Sequence, residues 1–186
     1  MTENQTFEKQ NFSYGIPAET EYEYCTFKNC NFLESNLADI FFTDCEFTNC
    51  DFNLTKMNGT ALRDVKFIDC KMAGINFNDC NEFLLSVHFE NCLLNSSVFY
   101  KLPLKKTGFI NCSLKEADFT ETDLTSALFE NCNLERTIFS RTNLEKAELR
   151  TSFNYSIDPE INRLKKAIFS YPEVLGLLTK YNIIVR

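Results

Sequence analysis

Tryptophan is absent from this chain of 186 residues, histidine occurs once, and there are only five glycines and four prolines. A single histidine excludes a histidine-rich metal centre, and so few glycines leave no glycine-rich phosphate loop. No apolar run approaches the roughly 18 residues that a membrane span requires. The first residues, Met1-Thr2-Glu3-Asn4-Gln5, lack the basic and apolar segments of a signal peptide, so a cytoplasmic location is expected. In that compartment the nine cysteines should be reduced thiols, and their odd number does not suit a fully paired disulfide framework. Positive charge is also in deficit. Residues 1–149 carry 23 acids and 13 bases, whereas residues 150–186 carry three acids and six bases. A body of net charge −10 is a poor ligand for a phosphate backbone, so direct nucleic-acid binding is not expected.

Phenylalanine, by contrast, is abundant, with 19 residues. Phe27, Phe47, Phe67, Phe89, Phe109 and Phe129 recur every 20 residues, apart from one step of 22. Each is followed by any residue, then Asn or Asp, then Cys, which places Cys30, Cys50, Cys70, Cys92, Cys112 and Cys132 in a parallel series. Within the long period lies a shorter one of five. Apolar residues stand at Tyr22, Phe27, Phe32, Leu37, Phe42 and onward to Phe77, and again from Leu84 through Phe89, Leu94 and Phe99 to Leu149. Two positions before each, the side chain is usually small. A period of five belongs to neither helix nor strand.

These residues resemble the pentapeptide-repeat family, whose unit is a small residue, Asp or Asn, Leu or Phe, and two variable positions. Ala117-Asp118-Phe119-Thr120-Glu121 and Thr122-Asp123-Leu124-Thr125-Ser126 fit that unit well. The resemblance implies an all-β fold, a right-handed quadrilateral β-helix in which four pentapeptides make one coil. The 20-residue period independently predicts the same coil length. Its centres then sort into four columns, headed by Phe27, Phe32, Leu37 and Phe42, that fill the interior. The organisation expected is an N-terminal partial coil and loop over 1–21, with Phe7 and Phe12 inward, a β-helix over 22–154 and a C-terminal cap over 155–186. In the cap, a turn or short helix runs through Ile161, Leu164 and Ala167. A second helix follows Pro172, and Tyr181–Val185 reads as a strand.

The two extra residues are expected as a bulge near 78–83, with Leu84 returning to the fourth column. Outward positions around it are apolar, and Phe83, Leu85, Leu93 and Tyr100 are candidates for a partner contact; Phe83 alternatively folds back over its own coil. All nine cysteines fall on the small inward position, so they read as packing residues rather than metal ligands. His88 reads as a surface residue. No catalytic residues and no cofactor site are predicted. The corner residues Asn29, Asn49, Asp69, Asn91, Asn111 and Asn131 suit turns of positive φ.

The solenoid together with the tail is similar to the Qnr-type and MfpA-type quinolone-resistance proteins. That resemblance implies a non-enzymatic acidic rod that mimics duplex DNA and engages DNA gyrase or topoisomerase IV. It also implies a homodimer joined through the cap, to which Leu175, Leu178, Tyr181, Ile183 and Ile184 would contribute. The alternative is a scaffold for other protein partners.

Overall fold

The structure, a computed structural model, describes residues 1–13 and 19–184. It is an all-β solenoid of parallel coils. Strands β2 (Thr6–Glu8), β4 (Thr26–Lys28), β6 (Glu46–Thr48), β8 (Val65–Ile68), β9 (Val87–Glu90), β10 (Gly108–Ile110) and β11 (Leu128–Glu130) form one seven-stranded sheet. A second sheet, of β1 (Thr2–Glu3), β3 (Glu21–Glu23), β5 (Phe41–Thr43) and β7 (Ala61–Arg63), covers another side of the first coils. The remaining sides are joined by isolated parallel bridges such as Asn31↔Asp51 and Asn36↔Lys56. Register pairs Phe27 with Phe47, Phe47 with Phe67 and Phe67 with Phe89, so each coil lies directly on the one before.

The corners explain why short, poorly strand-forming segments adopt this path. Asn29, Asn49, Asp69, Asn91, Asn111 and Asn131 all have φ between 51° and 55°. Asn tolerates that region better than most residues. Their side chains then bond along the axis, Asn49 to Asn29 at 2.6 Å, Asn91 to Asp69 at 3.0 Å, and Asn111 to Asn91 and Asn131 to Asn111 at 3.1 Å each.

Inside, the first column is an aromatic stack from Phe7 to Phe129. Its ring centroids are 4.8 Å apart between Phe7 and Phe27, 5.4 Å between Phe67 and Phe89, and 4.9 Å between Phe109 and Phe129. A second stack meets it edge-on, but on different sides in the two halves of the rod. Early coils use Phe12, Phe32 and Phe52; later coils use Phe77, Phe99, Phe119 and Phe139 on the next face. Each buried ring contributes about 1.5–3 kcal/mol through burial and ~1 kcal/mol more through ring pairing.

The small inward residues do more than fit. The thiols of Cys50, Cys70, Cys92 and Cys132 point to the carbonyls of Phe27, Phe47, Phe67 and Phe109, at 3.2–3.4 Å. Ser152 makes the same bond to Phe129 O at 2.9 Å, and Thr122 makes it to Phe99 O at 2.7 Å. The position also takes residues without a polar hydrogen, such as Val65, Ala117 and Ala127, so low volume is its usual demand and the bond an addition where the residue can make it.

Several expectations are corrected. Asn81 keeps the 20-residue register with Ala61, whereas Val87 pairs with Val65, so the two extra residues enter within Glu82–Ser86 rather than near 78–83. Leu84 sits at the bulge tip, 63% exposed with φ 58°, and Leu85 fills the fourth column instead. The solenoid also continues past 154. Arg163 and Ile168 bridge to Asn143 and Glu148, and Leu164 and Phe169 pack on the core, so no helix runs through Ile161, Leu164 and Ala167. Beyond them the cap consists of 3-10 turns at Glu173–Leu177 and Thr179–Tyr181. The expected strand does not form at Tyr181–Ile184, because Asn182 turns left-handed at φ 48°; Val185, like Gly15 and Pro17 of the expected loop, lies outside the described residues. Gly176 lets the cap sit tightly, since a Cβ there would collide with the carbonyl of Tyr155.

Phe89→Ala is expected to lower stability by about 3–5 kcal/mol, read as a lower urea midpoint. Cys112→Ser, which keeps a hydrogen for the carbonyl of Phe89, should change it by no more than about 1 kcal/mol. An equal loss in both variants would contradict the stacking account.

Candidate functional site

Among the described residues the cysteines form no metal-binding cluster. All nine are buried free thiols. Burial pushes the thiols of Cys45 and Cys80 up to about 12, out of reach of thiolate chemistry near neutral pH. His88 lies part-exposed on β9, its ring resting over the bare backbone of Gly108. Among the described residues the thiols are closed off by burial, and the charged groups lie on the outer surface.

That surface is divided by charge. Residues 1–100 hold 15 acids and six bases, whereas residues 101–186 hold 11 acids and 13 bases. In the second half, register places opposite charges one coil apart. Glu121 lies between Lys101 at 3.6 Å and Arg141 at 2.6 Å, and Glu135 accepts Lys115 at 2.8 Å. Glu145 pairs with Arg163 and Asp123 with Lys105. Hydrogen bonds from Arg141 and from Lys115 hold the carboxyls of Glu121 and Glu135 below the usual carboxylate range. In the first half Glu8 and Lys28, Glu46 and Lys66, and Asp51 and Lys71 are register neighbours too, but none of these pairs closes an ion pair. Among described residues 2–100, the one ion pair between side chains is Lys9–Glu8, at 3.9 Å. Glu21 and Glu23 on β3, Glu46 on β6, and Asp44 and Asp64 on one corner close no side-chain ion pair. The acidic face is thus a property of the N-terminal coils, where acids outnumber bases and no ion pair between side chains joins neighbouring coils.

The bulge borders this face. Arg63 lies between two rings, its guanidinium 5.7 Å from Phe41 and 5.6 Å from Phe83. Phe83 thus turns back toward its own coil, and Ala61 beneath is fully buried despite its outward position. The ring of Phe83 nevertheless stays 66% exposed and stands with Leu84 as an apolar tip. Arg63, Phe41, Glu21, Glu23 and Met1 line a shallow hollow of about 260 Å³. The other proposed contact residues are dispersed. Leu85 is turned into the core, Leu93 is exposed on a neighbouring side, and Tyr100 lies under the ammonium of Lys101, at 4.9 Å. Leu84 lies five residues before Phe89, so the period alone assigns it to the column that Leu85 fills instead.

At the other end, Leu178, Tyr181, Ile183 and Ile184 are exposed, with Leu175 half-buried beside them. Lys180 fastens the cap to the coil through Asp158 at 2.7 Å and Glu160 at 2.5 Å. Those bonds hold both carboxyls below their usual range, so the stability they supply is present at neutral pH and lost as pH falls through the lowered values. No described helix is long and apolar enough to cross a membrane.

Residues 20–82 and 84–154 match a family model described as a pentapeptide repeat region, and the gap falls at Phe83, in the bulge. No curated protein matches. Among solved structures, the full-length form of QnrB1, a plasmid-mediated fluoroquinolone resistance protein, is similar, with a TM-score of 0.62 at 15% identity over 97% of this chain and 99% of that one. A trypsin-treated variant of it gives 0.63 at 16% identity over the whole of both chains.

A thiol reagent added to the native protein at neutral pH is expected to label essentially no cysteine within minutes, and all nine after denaturation. Rapid native labelling of several thiols would show that the coil interior opens.

Proposed function

Because the chain belongs to the pentapeptide-repeat family, we propose that it acts by binding rather than by bond-making chemistry. Its acidic N-terminal coils enter the cationic DNA-binding groove of DNA gyrase or topoisomerase IV, and so modulate the enzyme or protect it from quinolones. The observation that carries this reading is the unpaired acidic face of the first coils, set on a straight rod. Fixed like charges on a rigid rod present a cationic groove with a duplex-like field. The fold it shares with a fluoroquinolone resistance protein gives the reading its direction.

In the same reading the chain is a homodimer joined through its caps, with Leu175, Leu178, Tyr181, Ile183 and Ile184 forming the contact. Pairing at that end keeps both acidic halves free and doubles the length of the rod. A second reading, a scaffold for another protein, draws on the apolar tip of Phe83 and Leu84 beside the acidic face.

Titrating the purified protein into a gyrase supercoiling reaction, with and without a fluoroquinolone, is expected to inhibit supercoiling or restore it in the presence of drug. The combined change Asp44→Asn, Glu46→Gln and Asp64→Asn should raise the protein concentration needed by about tenfold, or ~1.4 kcal/mol. No effect at micromolar protein would remove the topoisomerase reading and leave the scaffold. Separately, light scattering is expected to report a dimer for the natural chain and a monomer for Leu178→Asp with Ile184→Asp.

A further inference from the structure

The coil from Phe129 to Leu149 passes its backbone amides to the next coil on three sides. Leu134 N–H bonds to Phe153 O at 3.0 Å, and Leu144 and Leu149 bond to Arg163 and Ile168 at 2.8 Å each. On the fourth side it does not. There Asp158 and Pro159 turn away toward the cap, and Ile157 N–H bonds to Gly176 O instead. On this side the N–H groups of Arg136, Phe139 and Arg141 and the carbonyl of Thr137 have no partner among the described residues, and of these residues Phe139 and Thr137 are buried. Both residues are only 5% exposed. Buried backbone groups are almost always paired, which makes this pair of orphans informative.

The spacing of the orphans is that of a β-bridge. One coil earlier, Ile138 N–H bonds to Ala117 O while Phe119 N–H bonds to Ile138 O. A single residue of an extended chain laid beside Ile138 would repeat that arrangement, donating to Thr137 O and accepting from Phe139 N–H. Room for it exists. Arg136, Ile138, Phe139, Ile157, Asp158 and Lys180 are among the residues lining a groove of about 350 Å³. Ile138 itself is 48% exposed. The cations nearby are already engaged, Arg136 with Glu116 and Lys180 with Asp158 and Glu160, so the groove suits an uncharged strand rather than an acidic peptide.

We propose that this groove receives, as one added β-strand, the C-terminal segment beginning at Ile183 of a second copy of this chain. Ile183 and Ile184 are 56% and 83% exposed and follow the left-handed turn at Asn182, at the same end of the rod. Isoleucine favours an extended, half-buried setting. In its own chain Ile183 borders a different hollow, with Leu175 and Leu178, and neither isoleucine lines the groove. Exchange across a two-fold axis fills both grooves with one type of contact. The proposal rests on the cap-to-cap dimer reading and adds to it what the tails do.

The test is amide hydrogen exchange at Phe139 in the full chain and in a variant ending at Asn182, with light scattering on both. The tail lies outside the coils, so the shortened chain keeps its fold. Exchange at Phe139 is expected to be at least about tenfold slower in the full-length dimer than in the shortened chain. Close contacts between Ile184 of one copy and Ile138 of the other are expected in a sample mixing two isotope labels. Equal exchange in both proteins, with the full chain still dimeric, would overturn strand exchange and leave the cap contact standing. Protection that persists in a dilute monomer would assign the groove to the chain's own tail and overturn the exchange. A full chain that is monomeric at every concentration would overturn both readings together.

Discussion

Everything in this molecule depends on coils of constant length meeting in register. When the step is 20 residues, each phenylalanine of the first column lies over the one before, each thiol or hydroxyl reaches a carbonyl of the coil below, and each corner amide reaches its predecessor. None of these contacts is strong alone. A hydrogen bond of this kind contributes about 1 kcal/mol. They are repeated at every coil and share one geometric condition, so a residue that breaks the step breaks several contacts at once. The cysteine column reflects that condition. Cysteine, serine, threonine and alanine occupy one niche because the niche favours small volume.

The same register organises the exterior. Charges 20 residues apart become neighbours, which is why Glu121 finds both Lys101 and Arg141 while being adjacent to neither in sequence. The C-terminal half is thereby neutralised locally, and the acidic character of the chain is concentrated where such pairs do not close. An interaction surface arises here from an excess of acids left without ion pairs rather than from any special group.

Much of this was legible in the sequence, because a period carries its information redundantly. The columns, the inward thiols and the left-handed corners follow from spacing alone. The departures lie where spacing misleads. Spacing favours Leu84 for the fourth column, five residues before Phe89, yet the extra residues enter within Glu82–Ser86 and Leu85 turns inward instead. The last coil was hidden because Asn154 and Pro159 occupy two successive centre positions. Leu164 and Phe169 then resume the period, and Asn162 takes the small inward site, bonding Phe139 O through its amide at 3.0 Å. The uneven surface charge was legible in outline only, since ion pairs depend on side-chain reach across coils.

The bulge at Glu82–Ser86 has a mechanical meaning. A rod whose coils touch only their neighbours bears tension along its axis as a series of links. The aromatic packing changes sides near this point, from Phe52 on one face to Phe77 on the adjacent one, so two differently filled segments are joined close to the place where the backbone register slips. Pulled from its two ends, such a rod yields first at its weakest link, and the segment on either side keeps its own stacked interior. At the bulge itself four residues of β8 pair with four of β9, the longest strand pairing among the described residues, so the slip is bridged by the strongest seam between the acidic coils and the balanced ones that carry the cap.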